Sequence, residues 1–361
     1  MTSDDTTEPS FRGNQPKTTA ALDAWHAGRT PEAALEPELP IIDPHHHLYD
    51  APARGSHYLP SDFMAECQGC GHRILATVYV EAYHSMWRAH GDEAMRCVGE
   101  IEFARGVGAM ADSGLYGPCR VAASIVGFAD LTLGDGAAPV LESMVEAGGG
   151  RLHGIRQQTA YDPGPIGALH PHPVPPRLLL DPVFQRGFAH LARLGLSFDV
   201  WLYHPQLHDL AALAGRFPDT VFVLDHVGGV QGVREYPRHQ HAFDEWRSNV
   251  AALAAYPNIR VKVGGMGMPL FGFGFEHGER PADSQSLARA WGPFIDVCLE
   301  CFGPDRCMFE SNFPVDKQSC GYTELWNAFK IASASLSADE RKALFHDTAA
   351  RTYHVRTHEG G

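Results

Sequence analysis

The sequence predicts an α/β protein built as a slightly distorted TIM (β/α)8 barrel with an irregular N-terminal extension. Three features carry that expectation. Eight short runs rich in Val, Ile, Leu and Phe recur along the chain, and stretches of helical period separate them. The runs are apolar nearly throughout, the pattern of parallel strands covered on both faces. A chain of 361 residues suits one barrel with insertions or two ordinary domains. An open doubly wound sheet is the alternative, and no G-x-G-x-x-G follows an early strand to support its dinucleotide-binding form.

Residues 1–38 hold Pro, Thr, Asp, Glu and Gly with little periodic apolar content, and read as a mobile or strap-like extension. Residues 39–361 read as the barrel with its C-terminal helices. Strands are expected at 41–48, 74–81, 121–128, 153–157, 196–203, 221–226, 259–264 and 307–312, each ending in a polar or Gly-containing turn. Of the intervening helices, 182–194 has Asp181 as N-cap, Pro182 at its first position and Gly195 as its stop. Two irregular stretches, 161–176 and 266–281, each follow a strand. A barrel places both over its C-terminal mouth, as lids or substrate walls.

Composition removes several classes of function. Lys plus Arg number 29 against 43 Asp plus Glu, a formal charge of −14, so there is no broad basic surface for nucleic acid. No apolar run approaches the roughly 20 residues that cross a bilayer, and no membrane partner is expected. The opening nine residues are acidic and polar where a signal peptide is basic and then apolar, which points to the cytoplasm. Eight cysteines are too few for a disulfide scaffold in so long a chain. Of the two C-x-x-C pairs, Cys67/Cys70 and Cys298/Cys301, the second lies in a helical stretch, which favours buried thiols over a shared zinc site. The sequence leaves the subunit count open, a homo-oligomer included.

The chemistry is marked by histidines at strand ends. Side chains alternate along a strand, so His45 and His47 project from one face about 6.6 Å apart along the chain. His204 closes the fifth strand candidate and His226 the sixth. In a barrel these four imidazoles, from three strand ends, meet at one mouth. The pairs His170/His172 and His239/His241 lie in a loop and near a helix start, and carry no such implication.

From residue 40 to about 355 the chain resembles the amidohydrolase superfamily, in particular the amidohydrolase-related branch that contains lactonases. The likeness rests on Asp43-Pro-His-His-His47, His153-Gly-Ile-Arg156, His204-Pro-Gln-Leu207, Leu224-Asp-His-Val-Gly228 and Met308-Phe-Glu-Ser-Asn-Phe-Pro314. The resemblance implies that His45, His47 and His204 hold one divalent metal ion, zinc or manganese, although some relatives work with none. It places His226 on metal or substrate, and it expects a strand-eight aspartate as ligand and general base.

Here the strand-eight position is Asn312, whose amide does not take a proton from water at neutral pH. Glu310, two residues earlier on the same face, is the expected source of the missing charge, with Asp316 or a histidine as alternatives. Arg156 is expected to bind a substrate carboxylate or ring oxygen, against the plainer reading of a structural ion pair. Glu81 and Tyr83 are expected to line the pocket, Lys262 to form a salt bridge inside the barrel, and Asp43 to orient a histidine.

The function expected is hydrolysis of a cyclic ester of a small carboxylated or aromatic-catabolic substrate. A lyase acting on a small aromatic or unsaturated acid is the second expectation. A small-molecule binding barrel that lost activity at Asn312 is the third.

Overall fold

The computed structural model describes residues 10–82, 84–169 and 174–356. Eight parallel strands form one sheet in sequential order. They are β1 (Pro40–His46), β2 (Arg73–Val80), β3 (Arg120–Phe128) and β4 (Leu152–Gln158). The second half holds β5 (Ser197–Trp201), β6 (Phe222–Leu224), β7 (Ile259–Val263) and β8 (Cys307–Phe309). Helices such as Val98–Asp112, Ala137–Gly148 and Ser284–Phe302 pack outside, so this is a TIM barrel.

The cylinder closes between β8 and β1 beyond the regular ladder. Asn312 N donates to the His45 carbonyl at 2.9 Å, and His47 N to the Phe313 carbonyl at 2.8 Å. Asp43 draws the same seam together. Its carboxylate accepts from Ser311 N (3.0 Å), Ser311 Oγ (2.6 Å) and Tyr322 Oη (2.9 Å). Strict alternation would put Asp43 on the face of His45, but β1 is irregular between Asp43 and His46, and Asp43 turns to the seam instead of orienting an imidazole.

Inside the barrel the layers change character from bottom to top. Ile42, Val78, Val126, Val223 and Met308 make an apolar lower layer with Tyr353, from the C-terminal helical region. Above it lie Asp199 and Lys262, then His45, Arg156, Asp225 and Glu310, all buried. Strands β6 and β8 are shorter than expected because the chain leaves the extended conformation at the site itself. His226 (φ 55°), Val227 (φ 48°) and Asn312 (φ 52°) sit in the left-handed region. Such residues cost about 1–3 kcal/mol each and persist where surrounding contacts over-determine them.

Residues 10–38 include a short helix, Thr19–His26, and a run from Phe11 to Lys17 that bonds to the loops around the barrel mouth. Among the described residues no helix is long and apolar enough to cross a membrane.

Candidate active site

Strand ends β1, β4, β6 and β8 bring His45, His47, Arg156, Asp225, His226 and Glu310 together, and the fit depends on glycine at the end of β7. A Cβ on Gly265 would lie 2.3 Å from His226 Nδ1, and one on Gly264 would lie 2.4 Å from Glu310 Cγ. The Gly264-Gly265 pair therefore leaves the space these two side chains occupy.

Glu310 bridges two imidazoles. Its Oε1 lies 2.7 Å from His226 Nδ1 and accepts from His226 N at 3.1 Å, which pins the left-handed residue. Its Oε2 lies 2.9 Å from His45 Nδ1. His47 Nδ1 sits 3.0 Å from the Val80 carbonyl and so carries the proton. With their Nδ1 sides held, the rings turn Nε2 inward, and His45 Nε2 and His47 Nε2 approach to 3.1 Å. Two bare lone pairs at that distance repel unless a proton or a cation lies against them.

The charges beneath form a dense network. Lys262 Nζ lies 2.7 Å from Asp199 Oδ2 and 3.2 Å from Asp225 Oδ1, and Tyr353 Oη donates to Asp199 Oδ2 at 2.6 Å. Lys262 thus forms the salt bridge expected of it. Arg156 donates from Nε to Glu81 Oε1 and from Nη2 to the Glu81 carbonyl, both at 2.7 Å. Its Nη1 reaches 3.3 Å from His45 Nε2 and 3.4 Å from Asp225 Oδ2. Glu81 therefore acts first as the clamp that aims Arg156, although both also line the cavity.

Burial governs the protonation states. It lowers His47, with Arg156 adding to the effect, and His226, so that both titrate at about 3 and are neutral imidazoles near pH 7. His45 is also held well below its ordinary value, by burial and by the Lys262 ammonium. Burial pushes Glu310 well above the ordinary carboxylate range although Lys262 opposes it. Burial resists ionisation of Asp225 too, but there Lys262 prevails and the carboxyl stays well below its usual range. Burial works against charge on Lys262, and Asp199 and Asp225 hold its pKa above the ordinary value.

Asn312 lines the cavity and Asp316 does not. Asn312 Nδ2 donates to Asp316 Oδ1 at 2.8 Å, and Gly267 N donates to Asp316 Oδ2 at 2.8 Å. Asp316 therefore fixes the amide instead of meeting substrate. Asn312 Oδ1 is left buried without a hydrogen-bond partner among the described residues.

His204 is not brought into this group. Gln231 N donates to its Nδ1 at 3.2 Å, its Nε2 is 3.9 Å from Glu245 Oε2, and its ring lies against Tyr236. The reason is that β5 ends at Trp201, whose ring packs on His226 with centroids 4.9 Å apart, and His204 opens the 3-10 turn His204–Gln206, which directs its ring toward Tyr236. Tyr83 lies outside the described residues. Sequence reasoning gave no role to Asp225, Asp199 or Trp201. Asp225 stands beside His226 in a quoted motif, and period-two counting from Trp201 would have found Asp199.

The donor set fits a divalent cation. Ligand atoms of His45, Asp225 and His226 lie within 4.8 Å of one another and all three residues are buried. Asp225 Oδ1 has ion-pair neighbours but no well-directed hydrogen bond.

A barrel whose C-terminal mouth gathers imidazoles, carboxylates and a fixed guanidinium has the architecture of a hydrolytic enzyme. The chain belongs to the amidohydrolase family, whose model matches residues 42–355. It is 32% identical over 339 residues to an uncharacterized protein of Sinorhizobium fredii, covering 88% of this chain and 99% of that one. It is 30% identical to the L-fucono-1,5-lactonase of Burkholderia multivorans, covering 86% and 95%. A zinc-bound amidohydrolase from Burkholderia multivorans has a similar structure, with a TM-score of 0.65 at 26% identity, covering 88% of this chain and 99% of that one.

Proposed function

We propose that the protein is a hydrolase that opens a lactone by attack of water on the ring carbonyl. The observation that carries this reading is the cluster of neutral imidazoles beside Arg156 and Asp225 on the cavity floor, and the lactonase relative supports the choice of bond. His45, Asp225 and His226 would hold a divalent cation, zinc or manganese, which when bound supplies carbonyl polarisation and a more acidic water.

The chain's own groups do the rest. With His226 in the donor group and His45 enclosed, His47 Nε2 is the cavity-facing nitrogen left to take a proton from water. Asn312 Oδ1, held by Asp316, accepts a hydrogen bond from that water and orients it. Arg156 Nη1 faces the negative charge that develops on the carbonyl oxygen. As the ring C–O bond breaks, His47 returns the proton to the leaving alkoxide, giving a hydroxy acid.

The test is turnover of a panel of γ- and δ-lactones by wild type, His47→Asn and His226→Asn. Loss of kcat in both, with loss of bound metal in His226→Asn alone, is the expected pattern. Full activity in His47→Asn would remove it as the proton acceptor.

A further inference from the structure

The outer half of the cavity is walled by a segment far from the catalytic residues in sequence. Phe11, Arg12, Gly13, Asn14 and Gln15 line the same space of about 750 Å³ as His47 and His226. That run is fastened at several points. Phe11 N donates to Glu235 Oε1 at 2.9 Å in the loop after β6, and Asn14 Oδ1 accepts from Leu270 N at 3.2 Å in the loop after β7. The Gln318 side chain, after β8, exchanges hydrogen bonds of 3.1 and 3.2 Å with the Lys17 backbone. Gln15 Nε2 donates to Tyr49 Oη at 3.1 Å, after β1. The strap spans half the circumference of the mouth.

Between two of these fastenings stands Arg12, which is exposed and makes no hydrogen bond or ion pair with any described residue. In a chain of formal charge −14, an unpaired guanidinium on the cavity wall is a local attraction for an anion. The cavity that Arg12 enters carries apolar side chains, among them Phe11, Phe128 and Leu178, interleaved with polar ones that include Arg54, Asp130 and Thr132. The volume falls in the upper part of the roughly 300–1,000 Å³ common for small-molecule sites.

We propose that residues 11–15 form a substrate subsite in which Phe11 packs on an apolar arm of the lactone and Arg12 binds a carboxylate at the arm's far end. The inference rests on the lactonase reading for the ring and adds the class of substituent.

The experiment is calorimetric binding, which needs no turnover, of γ-lactones carrying butanoate, hexanoate or octanoate arms and of the matching carboxamides. Arg12→Gln is expected to weaken the best carboxylate probe about fivefold, the scale of an exposed charge pair of about 1 kcal/mol, and to leave its carboxamide unchanged. Phe11→Ala weakens carboxylate and carboxamide alike. Equal losses for both probes in Arg12→Gln, or none for either, would overturn the subsite. Hydrolysis of the probes with no dependence on Arg12 sinks the subsite and leaves the lactonase reading standing. Arg12-dependent binding with no ring opening does the reverse.

Discussion

The floor of the mouth and its outer wall are held in different ways. On the floor, Glu310, Asp225, Asp199, Lys262 and Arg156 interact with one another and with the imidazoles of His45 and His226, and each is buried. On the wall, the strap is fixed by backbone and amide hydrogen bonds while Arg12 has no hydrogen-bond or ion-pair partner among the described residues. Under the proposed function the barrel would set the chemistry, and the segments laid over it the selectivity.

Substitutions separate the two regions by the size of their effects. The largest is expected for Lys262→Met, which leaves Asp199 and Asp225 buried without their cation and costs about 3–5 kcal/mol. Urea unfolding measures it, and a loss below about 1 kcal/mol would mean that the floor is not a coupled network. Next comes Gly265→Ala, whose methyl group displaces the His226 ring. A shift of about 1 Å costs roughly a hundredfold in kcat/KM. Activity retained within threefold would show that the ring does not need its present place. Glu310→Gln removes the carboxylate behind two imidazoles and is expected to lower metal affinity or activity by about 10- to 100-fold.

How much of this was readable in the sequence follows from which rule each feature obeys. Eight apolar runs gave the strand order because parallel strands buried on both faces have a plain signature. The inward placement of His45 and His47 followed from period-two alternation, and so did the pairing of Glu310 with that face. The same rule misleads where the chain stops being regular. The irregularity between Asp43 and His46 turned Asp43 to the seam, and the turn that follows β5 directs His204 away from the cluster. The roles of Gly264 and Gly265 depend on the packing of side chains from other strands, which no local pattern carries. The fastenings of the strap join residues more than 200 positions apart, as from Phe11 to Glu235, and are equally silent in sequence.

The pH dependence of stability is a smaller effect and lies outside the floor. His26, His72 and His204 are lowered by burial to about 4 from an ordinary 6.5. Between those values the unfolded chain binds the protons and the folded chain does not. Each histidine therefore contributes in full above pH 6.5 and loses its contribution as pH falls toward 4, by about 1.4 kcal/mol per pH unit. Asp43, raised by burial to about 6 from 3.8, acts the other way, since its folded form keeps the proton that the unfolded chain releases as pH rises. For His72→Asn the urea midpoint is expected to fall less between pH 6.5 and 4.5 than in wild type, and an equal fall would contradict it. The smallest effect is expected for His204→Asn, which touches neither cavity nor cluster and should keep kcat/KM within about twofold.

The most direct test of the central claim is a pH-stat record of acid release when zinc- or manganese-loaded wild type and His226→Asn act on the lactone panel. The account predicts one acid equivalent per lactone consumed and a rate at least a hundredfold lower in the variant. Equal rates in the two proteins, or no acid from any lactone with carbon dioxide evolved from aromatic acids instead, would contradict it.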